Sequence, residues 1–332
     1  MDLQDITEEF LNSLGYLNQT ERTRVQTALN MATKAHEGQK RQQGTPYIIH
    51  PIRVAQILAG WKADADTIVA GLLHDTLEDT NVTYEEIANQ FGAAVAELVN
   101  GVTKFTQADF DQQSSLDRKV ETLRKLFEVM RSDIRVAIVK LADRLHNIRN
   151  MHELPLERQQ RFAQETMDVY FKLAQHLGMN DIRNEFSDIC LSVLQPEDSA
   201  RPRERIIGTT TLMHSLQEEI QSCIEHKDAT LFLDIHIKPL SLHTLLKKEQ
   251  HGQGDEMPYT CIVIARDQAA CYTILKLLHH CCRPLKNRFR DYIAAPAEDA
   301  YQTIQTTLTR SDGTIFPVRI RSMSMPRPIE VL

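Results

Sequence analysis

In residues 1–195 the apolar positions recur at helical spacing, and capping residues mark several of the expected helix ends. An apolar rhythm follows Thr20 and runs to Gly38, which predicts a helix with Thr20 as its N-cap. Thr83 and Glu86 have the spacing of a capping box before another helix. The same spacing predicts helices over residues 52–58, 67–77, 119–130, 134–149, 156–177 and 182–194. This half of the chain is therefore predicted to be all-α.

After residue 195 the helical spacing gives way to β-like runs. Residues 197–203 are polar and contain prolines, which predicts a linker. The patterns predict helices over residues 209–227 and 269–282, and strands over residues 230–237, 259–265, 300–310 and 314–321. The sequence Ser311-Asp312-Gly313 between the last two strands predicts a β-hairpin. Strands that alternate with helices indicate a small α/β or α+β domain.

The 332 residues are enough for about two domains, and the net charge of -7 belongs to the first half of the chain. Residues 1–196 hold 21 Lys and Arg against 28 Asp and Glu, whereas residues 197–332 hold 17 of each. An acidic first half argues against a nucleic-acid platform, so no DNA partner is expected. The chain has no apolar run of membrane-spanning length, and residues 1–30 are too polar for a signal peptide. Neither membrane insertion nor secretion is expected.

The cysteine pattern favours a reduced protein. The six cysteines include no C-x-x-C pair, so neither a disulfide framework nor a zinc ribbon is indicated. The expected location is therefore the cytoplasm.

The sharpest chemical feature is the segment His74-Asp75-Thr-Leu-Glu78-Asp79, which follows a nearly all-apolar stretch. On one continuous helix, His74 would share a face with Glu78, and Asp75 with Asp79. Three carboxylates this close repel one another unless a cation neutralises them or their pKa values rise. A divalent metal satisfies this requirement. The alternative is a helix C-terminus whose solvated acids are capped by residues 80–81.

Two more residues strengthen the metal hypothesis. His50 precedes Pro51, which suits the first turn of a helix, although a lone histidine there is more often structural. Asp143 lies in the predicted helix 134–149, where it could instead be an ordinary partner of Arg144 or Asn147. Together His50, His74, Asp75 and Asp143 make a two-histidine, two-carboxylate set. Mixed nitrogen and oxygen donors suit Mn, Fe, Co or Zn better than Ca.

Residues 36–51, 73–80, 101–105 and 140–147 together resemble the (p)ppGpp hydrolase domain of the RelA/SpoT family, an HD domain, in order and spacing. The resemblance covers about residues 20–195. It implies that one Mn²⁺ is held by His50, His74, Asp75 and Asp143. It also implies that Glu78 and Asp79 position and deprotonate the attacking water. Both the His-Asp and the Glu-Asp pairs are kept, so hydrolysis is expected.

The resemblance further implies how the nucleotide is bound. Arg41 is expected against the guanine face, Asn147 near the sugar, and Tyr47 among the substrate-binding residues. Lys140 and Arg144 could meet phosphate oxygens, or they could simply balance the local acids. Gln42, Gln43 and Asn150 depart from the usual family pattern, which is expected to tune affinity without removing the chemistry.

About residues 205–325 resemble the (p)ppGpp synthetase domain of the same family, with departures that include the positions of its catalytic acids. The usual acid is missing at Met257-Pro258, and Pro317 stands where a late strand usually carries Glu. Without these carboxylates no Mg²⁺ is held at the triphosphate, so this domain is expected to be an inactive pseudo-synthetase. Arg288 and Tyr301 could remain as vestigial nucleotide-binding residues. The other interpretation is a scaffold or gate that contacts the hydrolase domain.

The implied fold class is multidomain: an all-α HD-domain hydrolase at residues 1–196, then a small α/β pseudo-synthetase domain with a mixed sheet and helices at residues 203–332. The implied function is Mn-dependent hydrolysis of the 3′-pyrophosphate of ppGpp or pppGpp to GDP or GTP. The alternatives are an HD phosphohydrolase acting on another nucleotide and a non-catalytic regulator that binds (p)ppGpp. No protein partner is indicated by the sequence.

Overall fold

A computed structural model of the chain describes residues 2–41, 44–109, 133–208, 210–254, 256–296 and 302–325. The predicted helix 119–130, together with Gln42, Gln43 and Tyr301, lies outside the described residues. The chain divides after Leu177 into two compact units, whereas the sequence suggested a boundary near residue 196. Each unit is described by itself below.

The first unit is helical, as predicted. Its α-helices are α1 (Leu3–Ser13), α2 (Gln19–Ala35), α3 (Ile49–Gly60), α4 (Ala65–Leu73), α5 (Thr76–Asp79), α6 (Tyr84–Phe91), α7 (Ala93–Asp109), α8 (Arg135–Arg149), α9 (Leu156–Glu165) and α10 (Phe171–His176). A 3₁₀ turn, Met151–Glu153, follows α8, and a π-helical turn, Thr166–Tyr170, joins α9 to α10. The capping box of Thr83 and Glu86 is confirmed at α6.

The helix ends depend on local hydrogen bonds that the apolar pattern does not report. Helix α2 is capped by Asn18, not by Thr20 as predicted, because the Asn18 side chain accepts from the Glu21 N–H and Glu21 accepts from the Asn18 N–H. The predicted helix 67–77 is also wrong as a single element. It breaks at His74 and Asp75, which separate α4 from α5.

Helix α4 is the centre of this unit, since every residue from Ala65 to Leu73 except the partly exposed Asp66 is buried. It packs against α2, α3 and α7. Gly71 allows the closest approach to α3, because a Cβ at this position would lie 2.4 Å from Leu58 Cδ1. The backbone that leads to His74 is therefore held tightly in the core.

Gly71→Ala is expected to lower the free energy of unfolding by about 1–3 kcal/mol, because Leu58 is fully buried and its side chain must shift. Urea denaturation would measure the loss. Gly60→Ala is the matched control, since no described atom lies within 4 Å of a Cβ built there. Equal stability of the two variants would contradict this packing.

The second unit combines helices with a mixed sheet, as predicted. Its helices are α11 (Asn180–Leu194), α12 (Pro196–Gly208), α13 (Thr210–Asp228), α14 (Leu242–Gln250) and α15 (Gln268–Cys281). Its strands are β1 (Phe232–Pro239), β2 (Tyr259–Ala265), β3 (Arg283–Pro284), β4 (Arg290–Asp291), β5 (Ile304–Thr309) and β6 (Ile315–Ser322). The sheet order is β1-β2-β6-β5-β3, with β4 also on β5. Strands β2 and β6 are parallel, and the other pairs are antiparallel, including the predicted β5–β6 hairpin.

Two expectations for this half of the chain are wrong. Residues 197–203 are not a linker but part of α12, because packing buries Ser199 and Pro202 on one side of a segment that composition alone marks as polar. The cysteines are not all reduced. Cys223 on α13 and Cys281 on α15 form a disulfide, with Cα atoms 6.6 Å apart. Packing of α13 on α15 joins residues 58 positions apart, and no sequence spacing signals such a pair.

In the part of the chain that the structure describes, no helix is both long and apolar enough to cross a membrane.

Candidate metal centre

His74 follows the last residue of α4, and only one of its two ring nitrogens has a hydrogen-bond partner among the described residues. Its Nδ1 lies 2.8 Å from the Gly71 carbonyl oxygen, so Nδ1 carries the proton and Nε2 presents a lone pair. The ring is buried, and among the described residues Nε2 has no hydrogen-bond partner. Asp75 Oδ1 is only 3.2 Å away, but it is itself an acceptor when ionised. A buried lone pair that faces a carboxylate calls for a cation between them.

His50 enters the same space from the first turn of α3. Its Nε2 lies 3.6 Å from Asp75 Oδ2 and 3.3 Å from Asp143 Oδ1. Potential donor atoms of His50, His74 and Asp75 all lie within 4.8 Å of one another. The break between α4 and α5 turns Asp75 toward the two imidazoles.

Asp143 completes the group from the middle of α8. Its Oδ1 is 3.9 Å from His74 Nε2 and accepts a hydrogen bond from Asn147 Nδ2 at 2.6 Å. Its Oδ2 accepts from Lys140 Nζ at 2.9 Å. The structure therefore brings together all four residues that the sequence singled out as ligands.

The charges of this cluster suit a divalent cation. Burial raises the pKa of Asp143, but the Lys140 ammonium and the hydrogen bond with His50 lower it more, so it lies well below its ordinary value. Burial likewise raises the pKa of Asp75, yet His74 and His50 lower it further. Burial lowers the pKa of His50 below its ordinary value. Two ionised carboxylates beside two imidazoles are the donor set of a first-row metal.

Glu78 and Asp79 lie on the short helix α5 and remain exposed beside the cluster. Partial burial, together with the charges of Asp79 and Asp75, raises the pKa of Glu78. Tyr47 links the two groups of acids, because its hydroxyl lies 2.7 Å from Asp75 Oδ2 and 3.1 Å from Asp79 Oδ2.

Arg41 and Asn147 contact each other near Tyr47 and Asp143. Arg41 Nη2 donates to Asn147 Oδ1 at 3.4 Å, and the Arg41 guanidinium carbon lies 5.9 Å from the centre of the Tyr47 ring. The two residues come from a loop and from α8, 106 positions apart in the chain. Their pairing places both predicted nucleoside contacts on one side of the metal cluster.

Lys140 and Arg144 take structural positions. Lys140 is buried against Asp143, which fits the alternative that it balances a local acid. Arg144 fits the same alternative, because its charged partner is also a local acid. One residue past Asp143, Arg144 points to another side of α8, pairs with Glu165 at 2.5 Å, and stacks on Phe162 and Tyr170.

Arg288, in the second unit, is also engaged within the fold. Its Nη2 lies 3.3 Å from Glu256 Oε1, and the buried Glu256 carboxylate pairs with Lys248 as well. Glu256 went unnoticed in the sequence, since a single acid before a strand carries no pattern.

His146 is the site residue that sequence reasoning missed. Its Nδ1 lies 2.8 Å from His50 Nδ1, and burial followed by the charge of His50 lowers its pKa to about 3. Its place between Asp143 and Asn147, one helical turn from Asp143, could have revealed it.

Two regions of the chain match known protein families. An HD domain matches residues 28–180, and a region found in RelA / SpoT proteins matches residues 259–331. A Spiroplasma citri protein described as guanosine-3′,5′-bis(diphosphate) 3′-pyrophosphohydrolase is 36% identical over 315 residues, which cover 91% of this chain and 41% of that protein. The bifunctional (p)ppGpp synthase/hydrolase SpoT of Escherichia coli K12 is 34% identical over 331 residues, 97% of this chain and 47% of SpoT.

A GTP pyrophosphokinase of Myxococcus xanthus is 35% identical over 315 residues, 92% of this chain and 41% of that protein. The chain thus spans less than half the length of these relatives. A solved structure described as a metazoan ortholog of SpoT that hydrolyses ppGpp has a TM-score of 0.37 and 27% identity, covering 52% of this chain and 92% of that one. The two family matches and the relatives place this chain in the RelA/SpoT family, with an HD domain followed by the RelA/SpoT region.

Proposed function

We propose that the chain removes the 3′-pyrophosphate from ppGpp or pppGpp, giving GDP or GTP and pyrophosphate, with Mn²⁺ held by His50, His74, Asp75 and Asp143. The observation that carries the proposal is the buried Nε2 of His74, which faces ionised carboxylates in an HD domain. The names of the similar proteins from Spiroplasma citri and Escherichia coli support the substrate and the bond that is cleaved.

The protein's own groups divide the work around this cluster. A bound divalent cation would neutralise charge on the pyrophosphate and lower the pKa of water. Glu78, exposed and next to the cluster, would accept the proton of the attacking water, while Asp79 orients that water. His50 and His74 stay rigid because each has its second nitrogen engaged, by His146 and by the Gly71 carbonyl respectively.

The nucleoside end would lie against Arg41 and Asn147. A planar guanidinium stacks well on a purine, and the Asn147 amide can bond a sugar hydroxyl. Because Arg41 already contacts Asn147, the two side chains would meet the nucleoside as one preformed pair.

Arg41→Ala is expected to raise KM by roughly tenfold or more with a smaller effect on kcat, because stacking on the base is equal before and during the reaction. Steady-state kinetics with ppGpp measure both constants. Arg158→Ala, which removes an exposed arginine of α9, is the matched control and should behave as wild type. An unchanged KM in Arg41→Ala would remove Arg41 from the nucleotide site.

A substrate panel tests the choice of nucleotide. We expect kcat/KM for ppGpp or pppGpp to exceed that for NADPH and for 3′-phosphorylated nucleotides. A clear preference for one of the other nucleotides would replace the proposed substrate, and tight ppGpp binding without turnover in any divalent metal would favour a regulator.

We further propose that the second domain is an inactive synthetase, with boundaries near residues 203–332. Met257 and Pro317 occupy the positions where carboxylates would be needed, and Arg288 is paired with Glu256. Its proposed role is structural or regulatory.

Incubation with ATP, GTP and Mg²⁺ is therefore expected to yield no ppGpp or pppGpp. Asp75→Ala protein should be used, so that any product survives the hydrolase site. The similarity to a GTP pyrophosphokinase makes this test necessary, and sustained (p)ppGpp formation by that variant would refute the proposed inactivity.

A further inference from the structure

The Tyr47 hydroxyl lies between two carboxylates with different proposed roles. It is 2.7 Å from Oδ2 of Asp75, a proposed metal ligand, and 3.1 Å from Oδ2 of Asp79, which we place beside the attacking water. A phenol has one proton to donate, so its stronger hydrogen bond is the shorter one, to Asp75. The hydroxyl thus holds one Asp75 oxygen in place, which leaves Oδ1 facing His74.

The loop that carries Tyr47 is tied to Asp79 a second time. Arg41 N–H donates to the Thr45 carbonyl at 2.9 Å, and Tyr47 N–H donates to the Gln39 carbonyl at 3.0 Å, which closes the loop. The Gln39 side-chain amide then donates to the Asp79 carbonyl at 2.8 Å. The described residues of this segment, 39–41 and 44–47, are called the Arg41 loop below. Through Gln39 and Tyr47 the Arg41 loop contacts both the backbone and the carboxylate of Asp79.

The ring of Tyr47 is itself held in a defined orientation. It lies 4.8 Å from the His36 ring, between centres, and 6.1 Å from the His50 ring, which it meets nearly edge-on. His36 Nδ1 is 2.8 Å from Gln39 Oε1, so the two tethers of the loop also support each other. A half-buried ring seated in this way aims its hydroxyl at the acids.

We propose that Tyr47 is a positioning residue, whose hydroxyl orients Asp75 for the metal and couples the Arg41 loop to the metal centre. This differs from the substrate contact that the sequence resemblance implied for Tyr47. The part that concerns Asp79 rests on the proposed function, whereas the part that concerns Asp75 requires only that the cluster binds a metal. Hydrogen bonds to ligating carboxylates commonly change metal affinity or activity by 10–100-fold.

Titration of the metal-stripped 332-residue chain with Mn²⁺ in a calorimeter tests the proposal without any nucleotide. Tyr47→Phe keeps the ring and removes only the hydroxyl, and we expect its Kd for Mn²⁺ to rise roughly 10–100-fold. The control is Tyr84→Phe, which removes a phenol–carboxylate bond to Glu97 (2.8 Å) on the exposed surface and should leave the Kd unchanged. Thermal melting of the metal-free proteins checks that both variants fold.

Kinetics at saturating Mn²⁺ separate positioning from substrate contact. We expect Tyr47→Phe to lower kcat while KM for ppGpp stays within about twofold. A wild-type Mn²⁺ affinity together with a raised KM would overturn the proposal and return Tyr47 to the substrate site. Loss of the cooperative melt in metal-free Tyr47→Phe would also overturn it, since the hydroxyl would then serve the fold. Failure of the proposed function would appear separately, as normal Mn²⁺ binding by wild type without ppGpp turnover.

Discussion

Replacing His74 with alanine is expected to abolish tight Mn²⁺ binding and, with it, all measurable hydrolysis of ppGpp. The Nε2 lone pair of His74 is buried, is directed by the Gly71 carbonyl, and faces Asp75 and Asp143. Its removal would leave two ionised carboxylates with one imidazole, an incomplete donor set. Elemental analysis after dialysis against Mn²⁺ and a pyrophosphate-release assay measure the two losses.

His152→Ala is the control for this variant, because His152 is an exposed histidine of the same unit. It should keep wild-type metal content and turnover. Full metal occupancy in His74→Ala would show that the imidazole is not a ligand, whatever happens to the activity.

Glu78→Gln is expected to keep the metal but to lower kcat by roughly 10²–10⁴-fold, the range typical of general acid–base groups. Glu78 is exposed and lies outside the group of donor atoms, so the amide should not disturb metal binding. In the wild type, kcat should rise with pH as Glu78 loses its proton. Because the pKa of Glu78 is raised, the midpoint of this increase in kcat should lie at a pH above 4.5, the ordinary pKa of a glutamic acid.

The matched control is Glu85→Gln, an exposed acid in the first turn of α6. It should change neither kcat nor its pH profile. If Glu78→Gln retained wild-type turnover, the base would have to be another group, with Asp79 the next to test. Loss of metal from Glu78→Gln would instead make Glu78 part of the metal site.

The helical segments and the chemistry-bearing residues follow from sequence patterns, but their orientation does not. An imidazole and acids in an apolar segment predicted the cluster at His74, since buried charges need partners. The break after Leu73 escaped prediction because it leaves the apolar pattern intact. Arg144 shows the same limit: its position next to Asp143 is plain in the sequence, but helix geometry and the partner Glu165 send it elsewhere.

In the second domain the alternating patterns located the main strands, whereas tertiary packing decided the remaining features. Residues 197–203 have the composition of a linker, but they form part of a helix in which Pro202 is buried. The Cys223–Cys281 disulfide depends on how two helices pack. Strands as short as Arg283–Pro284 contain too few residues to show an alternation of apolar and polar positions.

The central claim is that the cluster of His50, His74, Asp75 and Asp143 supports metal-dependent removal of the 3′-pyrophosphate. Metal-stripped wild-type protein should be incubated with ppGpp, with and without Mn²⁺, and the products separated by anion-exchange chromatography. We predict equal amounts of GDP and pyrophosphate with Mn²⁺ and neither product without it. Folded, Mn²⁺-loaded protein that releases no pyrophosphate, or that releases single phosphates instead, would contradict the account.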